Sequence, residues 1–218
     1  MLKKTDIKIN KELLTDAVSN MPSDEFRLTI NTPTGDFFYD PWTIKKEYKN
    51  TVWEQLLSGF DFAIGEARII ILKEGACYQS HADIDDRYHL NIAGNDSYLI
   101  DLDTEQMNLL VADGYWYLMN AGKKHTAANF GRGDRIQLVV RQLLTRVVND
   151  ALVSIEIQAT GDHVRHKFDA VLSPWLNNVN KMRMISDFSI TSTGVKFKIY
   201  PAIIDVLKTV LPEGFVIV

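Results

Sequence analysis

Hydrophobic and polar positions follow two helical patterns and one strand pattern in the first third of the chain. Residues 9–20 carry apolar side chains at helical spacing before Pro22, which predicts a short amphipathic helix. Residues 26–30 read as a strand, and a turn rich in proline and glycine follows it. Residues 41–57 open with proline and continue with helical periodicity, so we expect a second helix there.

From residue 67 onward the pattern changes to short apolar runs separated by Gly, Asn and Asp. The runs are ARIIILK, HLNIA, SYLIDL, MNLLV, YWYLM and RIQLVV. They are rich in β-branched and aromatic residues, as strands are. Consecutive strands without helices between them favour an antiparallel sandwich or barrel. We therefore expect a mainly β domain over residues 1–145, with helices near its N-terminus.

The pattern changes again at about Arg146. Strand-like and helix-like stretches then follow one another in the order β-α-β-β-α-β, and Pro174 interrupts the first of the two helices. This order is that of ferredoxin-like domains. Residues 146–218 are accordingly expected to form a small α+β domain, for which the ferredoxin-like fold is a candidate.

Composition narrows the function classes. The chain has 24 Lys+Arg against 28 Asp+Glu, a formal charge of -4, and neither sign is concentrated in one block, so no nucleic-acid partner is expected. No run of about 18 apolar residues exists, so no membrane partner is expected either. The single cysteine, Cys77, cannot form an intramolecular disulfide, and a cytoplasmic location is expected. Cys77 itself is interpreted as a small buried residue.

Candidate chemistry is concentrated in the β-rich block, which holds three of the five histidines, His81, His89 and His125. If the His81-x-Asp83 segment is extended, its imidazole and carboxylate point to the same side and can converge on one ion. His125 follows a strand and a glycine turn, which could return the chain beside them. Two imidazoles and one carboxylate leave open positions on a metal, as oxygen-activating ferrous iron requires. We predict that His81, Asp83 and His125 form an iron-binding triad.

Arg135 is the candidate for binding a co-substrate. It lies ten residues after His125 and begins the run RIQLVV, so a hairpin through the intervening turn would bring it level with the metal. An α-keto acid can chelate a metal through its 1-carboxylate and 2-oxo group, and its distal carboxylate then needs a cation. A guanidinium binds a carboxylate through two parallel hydrogen bonds. Arg135 is predicted to bind this distal carboxylate.

The stretch from residue 75 to residue 141 resembles the aspartyl/asparaginyl β-hydroxylase branch of the 2-oxoglutarate-dependent oxygenases. That branch has a metal-binding histidine, an Arg-x-His-Leu motif, a second metal-binding histidine followed by an asparagine, and an Arg-Ile-x-Leu strand. The matching residues here are His81, Arg87-Tyr88-His89-Leu90, His125 with Asn129, and Arg135-Ile136-Gln137-Leu138. The resemblance covers roughly a third of the chain.

The resemblance implies a double-stranded β-helix, or jelly roll, for residues 1–145, with Fe(II), 2-oxoglutarate and O2 as cofactor and co-substrates. It implies that Arg87 and His89 help to bind 2-oxoglutarate. The implied reaction hydroxylates a protein side chain or a small molecule and releases succinate and CO2. The best-known members of the branch lack the carboxylate ligand, whereas Asp83 restores the full triad here, which weakens transfer of any one substrate.

Two alternatives remain open from the sequence. One is a cupin-type metalloenzyme that uses the same ligands without 2-oxoglutarate, against which Arg135 argues. The other is a binding module in which the jelly roll has lost turnover, against which the intact triad argues. The second domain could recruit a substrate or mediate formation of a homo-oligomer.

Other polar residues near these motifs are given structural interpretations. Asp85 and Asp86 are expected to form a solvated acidic turn. Asn129 is expected to stabilise the turn that follows His125, because Asn-x-Gly is typical of turns. His163 and His166 are expected to be exposed.

Overall fold

The computed structural model describes residues 2–144, 152–160, 168–181, 185–191 and 193–218. The chain divides into two compact units, Met1–Thr145 and Arg146–Val218. The structure is mainly β, and all its sheets are antiparallel among the described strands. In the same described ranges no helix is both long and apolar enough to cross a membrane.

The strands of the first unit are β1 (Leu2–Lys8), β2 (Arg27–Thr29), β3 (Asn31–Pro33), β4 (Trp42–Ile44), β5 (Ile64–Leu72), β6 (Arg87–Ala93), β7 (Ser97–Asp101), β8 (Gln106–Leu109), β9 (Tyr115–Met119), β10 (His125–Asn129) and β11 (Arg135–Gln142). Its helices are α1 (Glu12–Ser19) and α2 (Val52–Leu57), and a 3₁₀ turn spans Lys46–Tyr48.

These strands form a large sheet, a small sheet and a hairpin. The large sheet has six strands in the order β1-β9-β6-β11-β5-β2, the small sheet has the order β10-β7-β8, and β3 pairs with β4. The chain around residues 75–83 continues the small sheet beyond β10, since Cys77 lies opposite Ala128 and His81 lies opposite His125. This added edge carries two of the three predicted metal ligands.

One face of the large sheet is the hydrophobic core. Leu138 on β11 lies opposite Leu90 on β6 and Ile69 on β5, and all three side chains are buried in one cluster with Trp116. The same cluster includes Leu14 and Ala17 from α1 and Trp53 and Leu56 from α2. The two short helices therefore cover this apolar face.

The opposite face of the large sheet is polar, yet it is also buried. Side chains alternate between the two faces of a strand, and on this face seven polar residues have less than a tenth of their surface exposed: Glu66, Arg68, His89, Asn91, Arg135, Gln137 and Arg141. Charged residues are rarely buried in such numbers unless each has a partner. Two of the predicted site residues, His89 and Arg135, lie buried on this face.

A second apolar cluster joins the two sheets at one end of the polar face. It contains Leu72 of β5 and Met119 of β9 from the large sheet, together with Leu99 of β7 and Ala127 of β10 from the small sheet. The inner side of the small sheet thus packs on the large sheet beside the polar residues.

The structure corrects the helix predicted over residues 41–57. Trp42–Ile44 is strand β4, because these β-favouring residues pair with Asn31–Pro33 of β3. Asn50 has a positive φ of 60°, which a right-handed helix cannot contain, and α2 begins only at Val52. The helical periodicity of the segment therefore corresponds to a helix only over α2, Val52–Leu57.

The other predicted elements of the first unit are confirmed. Residues 9–20 contain α1, residues 26–30 contain β2, and the six apolar runs correspond to β5, β6, β7, β8, β9 and β11. Strands β1, β3 and β10 were not predicted, and the first part of the turn expected after residue 30 is β3. None of the three is an apolar run, and each is a strand because a neighbour pairs with it.

The second unit contains β12 (Val153–Ala159), a π-helical segment (Phe168–Leu172), α3 (Ser173–Lys181), β13 (Ile185–Ile190), β14 (Gly194–Ile199), α4 (Pro201–Val210) and β15 (Phe215–Ile217). The predicted order β-α-β-β-α-β is thus present, and the sheet order is β13-β14-β12-β15. Pro174 lies where the π-helical segment gives way to α3, a position near a helix start at which its missing N–H is tolerated. His163 and His166 lie outside the described residues.

Candidate metal centre

The backbone brings His81 and His125 directly opposite each other. The His81 N–H donates to the His125 carbonyl at 2.9 Å, and the His125 N–H donates to the His81 carbonyl at 2.8 Å. Side chains of such a pair project from the same face, and the two imidazole centroids are 4.4 Å apart. Two residues on, the Asp83 N–H donates to the Ala121 carbonyl at 2.7 Å, which holds Asp83 beside the imidazoles.

The three candidate ligand atoms converge on one point. Asp83 Oδ2 is 3.8 Å from His81 Nε2 and 3.8 Å from His125 Nε2, and one ligand atom from each residue lies within 4.8 Å of the others. Atoms that bind one ion at about 2.1 Å are about 3 to 4 Å apart. This group could therefore hold a metal ion.

The hydrogen bonds of both imidazoles leave the correct nitrogen free for a metal. His81 Nδ1 donates to the Gln79 carbonyl at 2.9 Å, and His125 Nδ1 donates to the Lys123 carbonyl at 2.7 Å. A carbonyl oxygen only accepts, so each Nδ1 carries the proton and each Nε2 presents a lone pair towards Asp83. Burial lowers the pKa of His125, although the Lys123 carbonyl opposes this, and a neutral imidazole is the ligand form.

Asp83 is held by an arginine on the oxygen that faces away from the histidines. Arg87 Nη2 lies 2.9 Å from Asp83 Oδ1 and 3.1 Å from Asp85 Oδ1. Oδ1 is thereby occupied, and Oδ2 is left for a metal. Burial raises the pKa of Asp83, and the neighbouring His81 and His125 oppose this, so a cation at the centre would favour the charged carboxylate.

Asp85 corrects the interpretation of this segment as a solvated acidic turn. The residue is 3% exposed and pairs with Arg87 and with Arg141 Nε of β11. Burial raises the pKa of Asp85 to about 7, with Arg141 opposing the rise and Asp83 adding to it. The Arg141 guanidinium lies over the ring of Phe37 at 4.3 Å and over that of Phe38 at 4.2 Å, an arrangement that stabilises a buried cation.

We expect replacement of Arg87 by glutamine to weaken metal binding about tenfold or more, because residues that orient metal ligands typically contribute about 10- to 100-fold to affinity. Titration of the purified chain with Co(II), followed by its visible absorption, measures this. Arg132→Gln is the matched control, since Arg132 is exposed on the turn before β11. An affinity unchanged in Arg87→Gln would show that Asp83 needs no support from Arg87.

Arg135 is completely buried and has donors without partners. Its Nη2 donates to the Tyr78 hydroxyl at 2.7 Å, but Nε and Nη1 have no hydrogen-bond partner among the described residues. A Cβ on Gly94, which has a φ of 107°, would lie 2.9 Å from the Arg135 Cα, so glycine is needed where the two backbones approach. A buried guanidinium with free donors requires an anion.

His89 lies on the polar face, on β6, which pairs with the β11 strand that Arg135 begins. Burial lowers its pKa to about 3, with further lowering by Arg135 and His125, so the imidazole is neutral at pH 7. His89 Nδ1, Asn91 Oδ1 and Gln137 Nε2 are buried, and none has a hydrogen-bond partner in the described ranges. The Gln137 side chain does hydrogen-bond to His89. Because most buried polar atoms in proteins are paired, the three atoms without partners are the ones available to a ligand.

The structure thus brings five of the six predicted site residues to the polar face, to β10 or to the chain edge beside β10 with donors or acceptors available: His81, Asp83, His89, His125 and Arg135. The sixth, Arg87, directs a guanidinium nitrogen to Asp83 and Asp85 instead of into open space. Its contact with 2-oxoglutarate stays a prediction.

Asn129 has the structural role expected of it. Its Nδ2 donates to the carbonyls of Leu72 and Gly133, and its Oδ1 accepts from the Ser97 hydroxyl and the Gly131 N–H. These four bonds use the whole amide. The prediction that Cys77 is buried is wrong. Cys77 is exposed, because it lies on the outer edge of the small sheet, opposite Ala128 of β10.

Sequence reasoning missed Tyr78 and Arg141. Arg141 follows Arg135 and Gln137 at even spacing on β11, and this alternation could have identified it. Tyr78 carries no such signal, because its partner Arg135 is distant in the sequence.

No protein-family model matches the chain, and no curated protein matches it at the significance required. The resemblance to the β-hydroxylase branch therefore rests on the motif residues alone.

Proposed function

We propose that the chain is a non-haem Fe(II)- and 2-oxoglutarate-dependent oxygenase of the aspartyl/asparaginyl β-hydroxylase type. One observation carries the proposal: the buried Arg135 guanidinium bonds to Tyr78, on the chain edge that also carries His81 and Asp83, and its Nε and Nη1 have no partner among the described residues. A cluster able to hold a metal and a guanidinium with free donors thus meet on one segment. A metal alone would account for the first of these. A metal-bound dianion with a distant carboxylate accounts for both.

We further infer that the two sheets of the first unit form a jelly roll and that the second unit is ferredoxin-like. The apolar cluster shared by the large and small sheets supports the first inference. The sheet order β13-β14-β12-β15, with the first and third strands of the unit at its centre, supports the second.

In this proposal the side chains of the chain bind, orient and balance charge. His81 Nε2, Asp83 Oδ2 and His125 Nε2 hold Fe(II) and leave positions open beside it. Arg87 keeps Asp83 in place, and Arg135 with the Tyr78 hydroxyl binds the distal carboxylate of 2-oxoglutarate. When bound, the iron supplies the oxidising chemistry by which 2-oxoglutarate and O2 give succinate, CO2 and a hydroxylated substrate.

The proposal is tested by adding 2-oxoglutarate to the chain with Fe(II) in the absence of O2. We expect a weak visible charge-transfer band, because 2-oxoglutarate would chelate the iron, and succinate release once air is admitted. Arg132→Gln should behave as the unchanged chain does. Iron binding without the band would favour a cupin-type enzyme that does not use 2-oxoglutarate, and absence of iron binding would favour a non-catalytic module.

A further inference from the structure

Two further arginines lie on the polar face, apart from the groups whose roles are proposed above. Arg68 is on β5, and Arg27 is on the neighbouring edge strand β2. Glu66, two residues before Arg68 on the same face, lies between their guanidinium groups. We refer to Arg27 and Arg68 as the arginine pair.

The arginine pair carries two positive charges and contacts one carboxylate, that of Glu66. Glu66 Oε2 is 3.6 Å from Arg68 Nη1 and 3.8 Å from Arg27 Nη2, distances too long for hydrogen bonds. The other oxygen, Oε1, accepts a hydrogen bond from the Thr29 hydroxyl at 2.9 Å. Among the residues that the structure describes, two guanidinium groups therefore share one carboxylate, and one positive charge is left without an ion-pair partner.

Arg68 is buried in spite of this. Its side chain is 6% exposed, and its Nε is buried without a hydrogen-bond partner among the described residues. An uncompensated buried charge is costly unless an anion binds it. Arg27, whose side chain is half exposed, extends the same positive charge towards solvent.

The arginine pair lies on the same face of the large sheet as His89. Arg68 lies opposite Val139, and Val139 lies opposite His89 on the other side of β11, so Arg68 and His89 are two strand spacings apart, about 10 Å. Phe26, the residue before Arg27, packs against Tyr78 with the ring centroids 5.7 Å apart, so this end of β2 lies beside the chain edge that carries His81 and Asp83. The remaining cations there, Arg87, Arg135 and Arg141, already have roles.

We propose that Arg68 and Arg27 bind a carboxylate of the substrate and hold the carbon to be hydroxylated beside the metal centre. This inference rests on the proposed function. Guanidinium groups bind carboxylates through charge-assisted hydrogen bonds, and the exposed position of Arg27 gives the carboxylate a path into the buried site. Glu66 is left to accept a hydrogen bond from a donor near that carboxylate. Both a free amino acid, through its ammonium group, and an acidic residue of a peptide, through its N–H, supply this chemistry.

The experiment measures the binding of carboxylate probes to the Zn(II)-loaded chain by ligand-detected NMR, with 2-oxoglutarate at saturation. The Zn(II)-loaded chain cannot turn over. One arm uses the free L-amino acids against their α-amides. The other arm uses N-acetylated, C-amidated aspartate and glutamate against the asparagine and glutamine counterparts. We expect carboxylate probes of one arm to bind and their amides to bind about tenfold or more weakly, as loss of a charged hydrogen bond predicts.

Variants show whether the arginine pair is responsible. Arg68→Met and Arg27→Gln should each weaken binding of the carboxylate probe about tenfold or more, and Arg132→Gln should not change it. Because Arg68 is buried and its replacement could impair folding, Arg27→Gln at a half-exposed position provides a second test. Amides that bind as tightly as carboxylates, or binding unaffected by both variants, would overturn the proposal. Displacement of the probe by excess 2-oxoglutarate would do so as well, since the arginine pair would then bind the co-substrate.

The same probes separate this inference from the proposed function. If the chain binds no metal, the proposed function fails, and Arg68-dependent binding of a carboxylate to the metal-free chain would still support the arginine pair. If metal and 2-oxoglutarate bind but no carboxylate probe does in either arm, the arginine pair alone is refuted.

Discussion

Replacing His125 by alanine should remove metal binding and, with it, succinate release from 2-oxoglutarate. His125 Nε2 is one of three ligand atoms that converge on a single point, and its imidazole is already fixed by the hydrogen bond from Nδ1 to the Lys123 carbonyl. Residues that only orient metal ligands contribute about 10- to 100-fold to affinity, so loss of a ligand should exceed this range. Co(II) titration and a succinate assay measure the two effects.

Lys124→Ala is the matched control for His125→Ala, because Lys124 is the exposed residue directly before His125. It should bind Co(II) and release succinate as the unchanged chain does. Succinate release that persists in His125→Ala would refute the assignment of the metal centre. Thermal unfolding of the metal-free proteins shows that the comparison is made between folded chains.

The candidate metal ligands could be predicted from the sequence because two of them depend on local geometry. In an extended segment, His81 and Asp83 must project to the same side, and the antiparallel pairing with His125 completes the group. The strands of the β-rich block are likewise predictable, since alternation is a local signal. The helix predicted for residues 41–57 failed because pairing of β4 with β3 overrode its periodicity.

The charges around the ligands could not be predicted in the same way. Asp85 looks like part of an acidic turn in the sequence, but Arg141 reaches it from a strand that is distant along the chain. Arg68 looks like an ordinary charge in an apolar run. Only the register of β5 with β11, and of β11 with β6, places it on the same face as His89. Partners of this kind depend on tertiary pairing, which no local pattern carries.

The two faces of the large sheet divide stability from function. The face with Leu90 and Leu138 packs on the helices and supplies the core. The other face buries Arg68, His89 and Arg135 with donors or acceptors that have no partner in the described part of the chain, an arrangement that costs stability in the absence of a ligand. Local disagreement with the rules for a stable core is expected at functional sites, and it supports the assignment of this face to binding.

Arg135→Met should therefore have opposite effects on function and on stability. The KM for 2-oxoglutarate should rise at least about a hundredfold, because removing one partner of a buried ion pair costs about 3–5 kcal/mol. The ligand-free protein should melt at a higher temperature, since methionine replaces a buried charge whose Nε and Nη1 lack partners in the described chain. Succinate release at varied 2-oxoglutarate concentration and thermal unfolding measure the two effects.

Arg135→Lys, which keeps the charge but not the planar fork, should have a KM between those of the unchanged chain and Arg135→Met. An unchanged KM in Arg135→Met would separate Arg135 from the co-substrate, and a lower melting temperature would mean that its bond to Tyr78 outweighs the cost of the buried charge.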